Sequence, residues 1–264
     1  MRSVLSSQRV GRVHVATMSR PPVNALDGEL VARLEGLLAE VSADLQVGVL
    51  HIRSDQKVFC AGADLALMRS RLETPAGIEA MVEQVRRLQR LFALLEAAPV
   101  VTLAEIGGAA LGGGLELALA CDLRVAAADA KLGLPEVSLG VVPGAGGTQR
   151  LTRLCGSGIA KRMILGAEVI DGAQAERLGI VQWAQPRERL AEWTRDLVAR
   201  IADMPRAALA ASKGCIHAAG DADRDGSAEE LAVTRELYGH AQTRAKVAEF
   251  LSRKSNGAKT KEMP

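Results

Sequence analysis

Two segments of this sequence set small residues beside a strand end or a helix start in a way that can do chemistry. Phe59-Cys60-Ala61-Gly62-Ala63-Asp64 and Ala110-Leu111-Gly112-Gly113-Gly114-Leu115-Glu116 each read as a strand running into a loop. Small side chains there leave backbone N–H groups uncovered, and glycine lets the main chain approach a ligand or take a positive φ. The second loop opens a helix, so its N–H groups also lie at the positive end of a dipole. Two such groups aimed at one oxygen stabilise a developing oxyanion. Glu116 follows the triple glycine and precedes Leu117, Ala118, Leu119 and Ala120, so its surroundings read as buried. Glu136 stands twenty residues further on, after Pro135 in Gly133-Leu134-Pro135-Glu136. A strand and a turn between them can fold both carboxylates onto one cavity. A carboxyl group among apolar side chains has a raised pKa and works as acid or base near neutrality. Each feature alone also has a plainer reading: a glycine cluster packs a helix tightly, and a lone glutamate is solvated.

The elements that must position these residues alternate short strands with helices, the pattern of an α/β fold. Gly11 to Met18 reads as a strand, and Asp27 caps a helix with apolar positions Leu30, Leu34, Leu37, Leu38 and Val41. Val47 to Ile52 is the next strand. Thr74 caps a long helix with Pro75 at its first position, and its apolar face is expected to run Ile78, Met81, Val82, Val85, Leu88, Phe92 and Leu95. Strands at Val100–Ala104 and Leu123–Ala126 bracket a helix expected from about Leu115 to Cys121. After Pro143, Gly144-Ala145-Gly146-Gly147 leads into further helices, and from about Glu188 the chain is helical. We place a core over residues 1–200 and a helical region over 201–264.

Composition narrows the function classes. Net charge is +2 and aromatics are 2%, so there is neither an electrostatic footprint for nucleic acid nor a stacking surface for single strands. No apolar run reaches the length of about 18 residues that spans a membrane. Cys60, Cys121, Cys155 and Cys215 show no disulfide or metal spacing. With no secretory leader apparent, the expected location is cytoplasmic. Asp221-Ala222-Asp223-Arg224-Asp225-Gly226 imitates a calcium loop but has Ala232 at its twelfth position, so Asp225 is expected to cap a helix instead. His14, His51, His217 and His240 are scattered and suit core or surface roles, and Cys60 has no identifiable histidine partner. Arg253, Lys254, Lys259 and Lys261 read as a solvated basic tail, with Arg253 or Lys254 the alternative partner of a ligand phosphate.

Taken together, Phe59–Asp64, Gly112–Glu116, Cys121-Asp122, and Pro135-Glu136 through Pro143-Gly144-Ala145-Gly146-Gly147-Thr148-Gln149-Arg150-Leu151 resemble the crotonase (enoyl-CoA hydratase/isomerase) superfamily. The resemblance runs from about Arg9 to about Lys254. It implies a β/α spiral core with a C-terminal helical region used in trimer formation, and assembly as a homotrimer or dimer of trimers. It implies an acyl-CoA thioester substrate, polarised by the backbone N–H groups of Ala63 and Gly113. Glu116 would then act as base toward water and Glu136 would deliver a proton to Cα. Gly144 matches a position whose N–H helps place the water or second carboxylate. Ala61, Ala63, Asp64 and Leu65 match the backbone segment that cradles the adenine end of CoA. No metal or redox cofactor is implied.

Departures exist: Gly107 stands where the family commonly has Asn, Ala66 where some hydratases have Lys, and Gln242–Lys246 replaces a more acidic stretch. Two retained glutamates favour hydration of a 2-enoyl-CoA over isomerisation or decarboxylation within the family. They also argue against a non-catalytic CoA- or RNA-binding protein on the same scaffold.

Overall fold

Leu5–Val10 (β1) and Val13–Met18 (β2) form an antiparallel hairpin that turns at Gly11, where φ is +60°. The computed structural model describes residues 3–259, with side chains through residue 252. Asp27 caps α1 (Gly28–Ala43) by accepting from Leu30 N, and the helix buries Leu30, Leu34, Leu37, Leu38 and Val41 at the expected period. β3 (Val49–Ser54) returns parallel to β2.

A short helix, α2 (Leu65–Arg71), then precedes α3 (Pro75–Ala97), which Thr74 caps through Gly77 N. The expected apolar face of α3 holds only in its second half. Leu88, Leu91, Phe92 and Leu95 are buried, whereas Ile78 and Val82 are 43% and 46% exposed. The cause is what lies beside the first turns: Gly77 abuts Arg71 at the end of α2, and α2 itself buries no residue.

β4 (Val101–Ile106) is buried along its whole length and pairs parallel with β3. The two-residue β5 (Ala110–Leu111) leads into α4 (Gly113–Ala120), which starts two residues earlier than expected and so takes Gly113 as its first residue. β6 (Leu123–Ala127) joins β4, and β7 (Lys131–Gly133) joins β5. A 3-10 turn over Glu136–Leu139 precedes α5 (Gly147–Leu165), β8 (Val169–Asp171) and α6 (Gly172–Arg177). β9 (Trp183–Gln185) and α7 (Arg187–Ala202) complete this part.

The main sheet has the order β1-β2-β3-β4-β6-β9, parallel after the first pair; β5, β7 and β8 make a second, smaller sheet. Helices pack against this mostly parallel sheet, with α7 laid over β2, β3, β4, β6 and β9, an α/β arrangement as the alternation of strands and helices implied. With so few aromatics the core is aliphatic, and Phe59 and Phe92 are its largest fully buried side chains. His14 and His51 are core histidines, and His51 Nε2 lies 3.0 Å from Glu105 Oε2.

Contacts divide the chain into two compact units, Met1–Asp203 and Met204–Pro264. The second is helical: α8 (Arg206–Ala218), α9 (Gly226–Gly239) and α10 (Ala241–Lys259). Asp225 caps α9 through Ala228 N, the role its position in sequence suggested. Of the basic chain end, the side chains of Arg253, Lys254 and Lys259, and Lys261 altogether, lie outside the described residues.

Candidate active site

The loop after β3 is clamped from two sides. Phe59 N and Cys60 N both donate to Ala109 O at 2.9 and 3.1 Å, and Leu111 N donates to Cys60 O at 3.0 Å. From the other side Ala61 N donates to Val23 O, and Leu26 N donates to Gly62 O. Asn24, itself at φ 50°, donates through Nδ2 to Phe59 O and to Ser54 Oγ. Held this way, the loop presses its backbone onto the start of α4. A Cβ on Gly62, where φ is +85°, would sit 2.9 Å from Gly113 N, and one on Gly114 would overlap the Cys60 carbonyl. These two glycines are therefore required by close approach of the two loops.

The clamp leaves two donors over. Among the described residues, neither the Ala63 nor the Gly113 N–H donates a hydrogen bond. Ala63 is exposed and follows Gly62 directly, and Gly113 opens α4, where its N–H points out of the helix start. Asp64 Oδ1 accepts from Ala66 N and Leu67 N as the cap of α2, a structural duty that sequence reasoning did not assign. Leu65 begins that helix and is 56% exposed. Ala61 spends its N–H on Val23 within the fold.

The pairing of β5 with β7 brings the two glutamates to this turn. Gly112 N donates to Gly133 O at 3.0 Å, so Leu134-Pro135-Glu136 runs alongside the triple glycine. A Cβ on Gly112 would lie 3.0 Å from Glu136 Oε1, and one on Gly113 would lie 3.9 Å from Glu116 Oε2. The two carboxylates thus flank consecutive backbone positions. Glu116 is 2% exposed, and its Oε1 accepts from Gly147 N at 2.7 Å. Glu136 Oε2 is buried without a hydrogen-bond partner. Burial pushes the Glu116 carboxyl up to about 7 against the opposing pull of the Gly147 N–H, and the neighbouring Glu136 adds to the rise. Burial also raises Glu136.

Gly144 shares this neighbourhood, and its N–H has no partner among the described residues; the donor that holds Glu116 is Gly147, three residues on. Sequence reasoning missed Gly147, and it missed Arg150 behind the turn. Arg150 Nη1 donates to Ala145 O at 2.8 Å, and Nη2 pairs with Glu96 Oε2 at 2.6 Å. The local signal was there in Gly-Gly-Thr-Gln-Arg, but Glu96 lies 54 residues away in sequence. Cys60 is no nucleophile: it is fully buried, its thiol donates to Asn24 O, and burial pushes it up to about 12.

Known proteins resemble this chain along most of its length. The family model described as enoyl-CoA hydratase/isomerase matches residues 8–256. The mouse mitochondrial enoyl-CoA hydratase domain-containing protein 2 is 45% identical over 201 residues, 75% of this chain; the match spans 66% of that protein, just under two thirds of it. A crotonyl-CoA hydratase of Syntrophomonas wolfei is 39% identical over 221 residues, covering 81% of both chains. Among solved structures, an enoyl-CoA hydratase from Geobacillus kaustophilus superposes with a TM-score of 0.90 at 28% identity, over 96% of this chain and 95% of that one.

Proposed function

This chain belongs to the enoyl-CoA hydratase/isomerase family, and from that premise we propose that it adds water across the 2,3 double bond of a trans-2-enoyl-CoA to give a 3-hydroxyacyl-CoA. The observation that carries this reading is the pair of glutamates flanking Gly112–Gly113, beside two unspent backbone donors. The thioester oxygen would accept from Ala63 N–H and Gly113 N–H. Attack at C3 moves electron density onto that oxygen, and donors fixed in advance stabilise the resulting enolate-like charge without reorganising. Glu116 takes a proton from the attacking water as its oxygen bonds to C3. Glu136 gives a proton to Cα as the enolate collapses, so water is added across the bond and the carboxyl pair keeps its single proton.

The same reading makes the segment Ala61–Leu65 the cradle for the adenine end of CoA, and it needs no resident metal or redox cofactor. It also makes the chain a homotrimer or dimer of trimers. Reaction of crotonyl-CoA in H2¹⁸O and in D2O tests the chemistry. The expected product carries ¹⁸O at C3 in the first case and a single deuterium at C2 in the second. A product with a moved double bond and no ¹⁸O would make the enzyme an isomerase, and released CO2 from a malonyl-type thioester would make it a decarboxylase.

A further inference from the structure

Behind the turn that holds Glu116, one stripe of α3 makes an anchoring surface. Gln89, Phe92 and Glu96 recur at i, i+3 and i+7, the spacing that aligns side chains on one helix face. Gln89 Nε2 donates to Gly144 O at 2.7 Å. The Arg150 guanidinium lies 5.8 Å from the centre of the Phe92 ring, pairs with Glu96 and donates to Ala145 O. Arg150 is largely buried, and Gly146, at φ +105°, is the glycine that lets it fit: a Cβ there would collide with the guanidinium. The next residue, Gly147, supplies the N–H bound to Glu116 Oε1.

We propose that Arg150 is a positioning residue for this site, tying the Gly144–Gly147 turn to α3 and so fixing where the Glu116 carboxylate points. The inference deepens the hydratase reading and rests on it for the catalytic consequence. Arg150 does not touch the reacting atoms; it acts through Ala145 and Gly147. The charged groups acting on Glu116 are Glu136 from the 3-10 turn, which opposes its ionisation, and Arg150 from α5, which favours it, together with the Ala145 and Gly147 N–H groups. Glu96 spends its charge on Arg150.

The test follows the Glu116 carboxyl by ¹³C NMR in protein labelled at glutamate, with its signal assigned by disappearance in Glu116→Gln. Arg150→Met is expected to raise the Glu116 titration, since a favourable charge is lost. On crotonyl-CoA its kcat is expected to fall about tenfold or more with KM within about twofold, the mark of lost alignment rather than lost binding. Arg150→Lys, which keeps the charge but cannot bridge Glu96 and Ala145, is expected to titrate near wild type and still lose kcat. Gln89→Ala should lower kcat several-fold with KM unmoved. Wild-type titration and kcat in Arg150→Met overturn the proposal. If that variant does not fold, wild-type kcat in both Arg150→Lys and Gln89→Ala overturns it. A wild type that hydrates nothing, with the titration shift still present, sinks the hydratase reading and leaves the positioning of Glu116 standing.

Discussion

Glu116 carries a cost in stability. Its carboxyl ionises near 4.5 when solvated but at about 7 in the fold, because burial penalises the charge. Between those values the unfolded chain is ionised while the folded protein holds its proton. The stability this gives at low pH is therefore lost as pH rises from about 4.5 to about 7, and the full penalty of about 3 kcal/mol stands above that. Glu116→Gln is expected to raise stability at pH 8 by up to that amount, measured by denaturant unfolding, and to gain nothing at pH 4. Equal stabilisation at both pH values would contradict it. Because the ionised Glu136 adds to the rise at Glu116, Glu136→Gln should lower the Glu116 titration below its wild-type value, read from the same carboxyl resonance. In the assigned roles the reactive form has one proton on the pair, seated on Glu136. The profile of kcat/KM should accordingly be bell-shaped, falling on the acid side as a second proton binds and on the alkaline side as the pair loses its last one. At this scale the sequence was informative: the triple glycine followed by Glu116 and an apolar run indicated a buried carboxylate. It was silent on Gly147 as its donor, because that bond spans 31 residues.

The elements that assemble the site are its shortest ones. β5 has two residues and β7 three, too few for any alternation of apolar and polar positions to show. Their pairing nevertheless sets Glu136 beside Gly112, since it fixes Gly133 against the triple glycine. Long elements with side-chain caps were legible: Asp27 before α1, Thr74-Pro75 before α3 and Asp225 before α9 all stand where a cap was expected. The N-terminal β1 and the short α2 were not, the first because its exposed pattern shows no apolar alternation, the second because it buries nothing. The face expected along all of α3 failed over its first turns because periodicity in sequence does not reveal whether an element waits to cover it. Close approach of the two loops gives a prediction of its own. Gly62→Ala places a methyl 2.9 Å from Gly113 N at a positive φ. It should cost about 1–3 kcal/mol of stability and, by shifting the Ala63 and Gly113 donors, about a hundredfold in kcat. Unchanged kcat on crotonyl-CoA would show that these donors do not hold the thioester.

Across the whole molecule, charge is balanced and the candidate site lies in the first unit, while the helical unit displays apolar side chains. Ile216, Leu231 and Tyr238 are each more than two-thirds exposed, and Val247, Phe250 and Leu251 more than half. Scattered apolar exposure is ordinary, but six large side chains in one small helical unit suit an interface. Light scattering of the purified protein is expected to give the mass of three or six chains, and Leu231→Glu with Phe250→Glu to reduce it. A monomer in the unaltered protein would contradict the trimeric assembly inferred for it. No helix among the described residues is long and apolar enough to cross a membrane.

The central claim is that two glutamates act as one unit on water beside a backbone oxyanion site. Loss of the conjugated enoyl-thioester absorbance with crotonyl-CoA tests it most directly, in wild type, Glu116→Ala, Glu136→Ala and the double variant. Hydration by the wild type is expected, with each single variant slower by about 10²–10⁴-fold and the double variant little worse than either, as for groups that work together. A wild type inactive on crotonyl-CoA and on longer or branched enoyl-CoAs, or a single variant that keeps most of its rate, would contradict it.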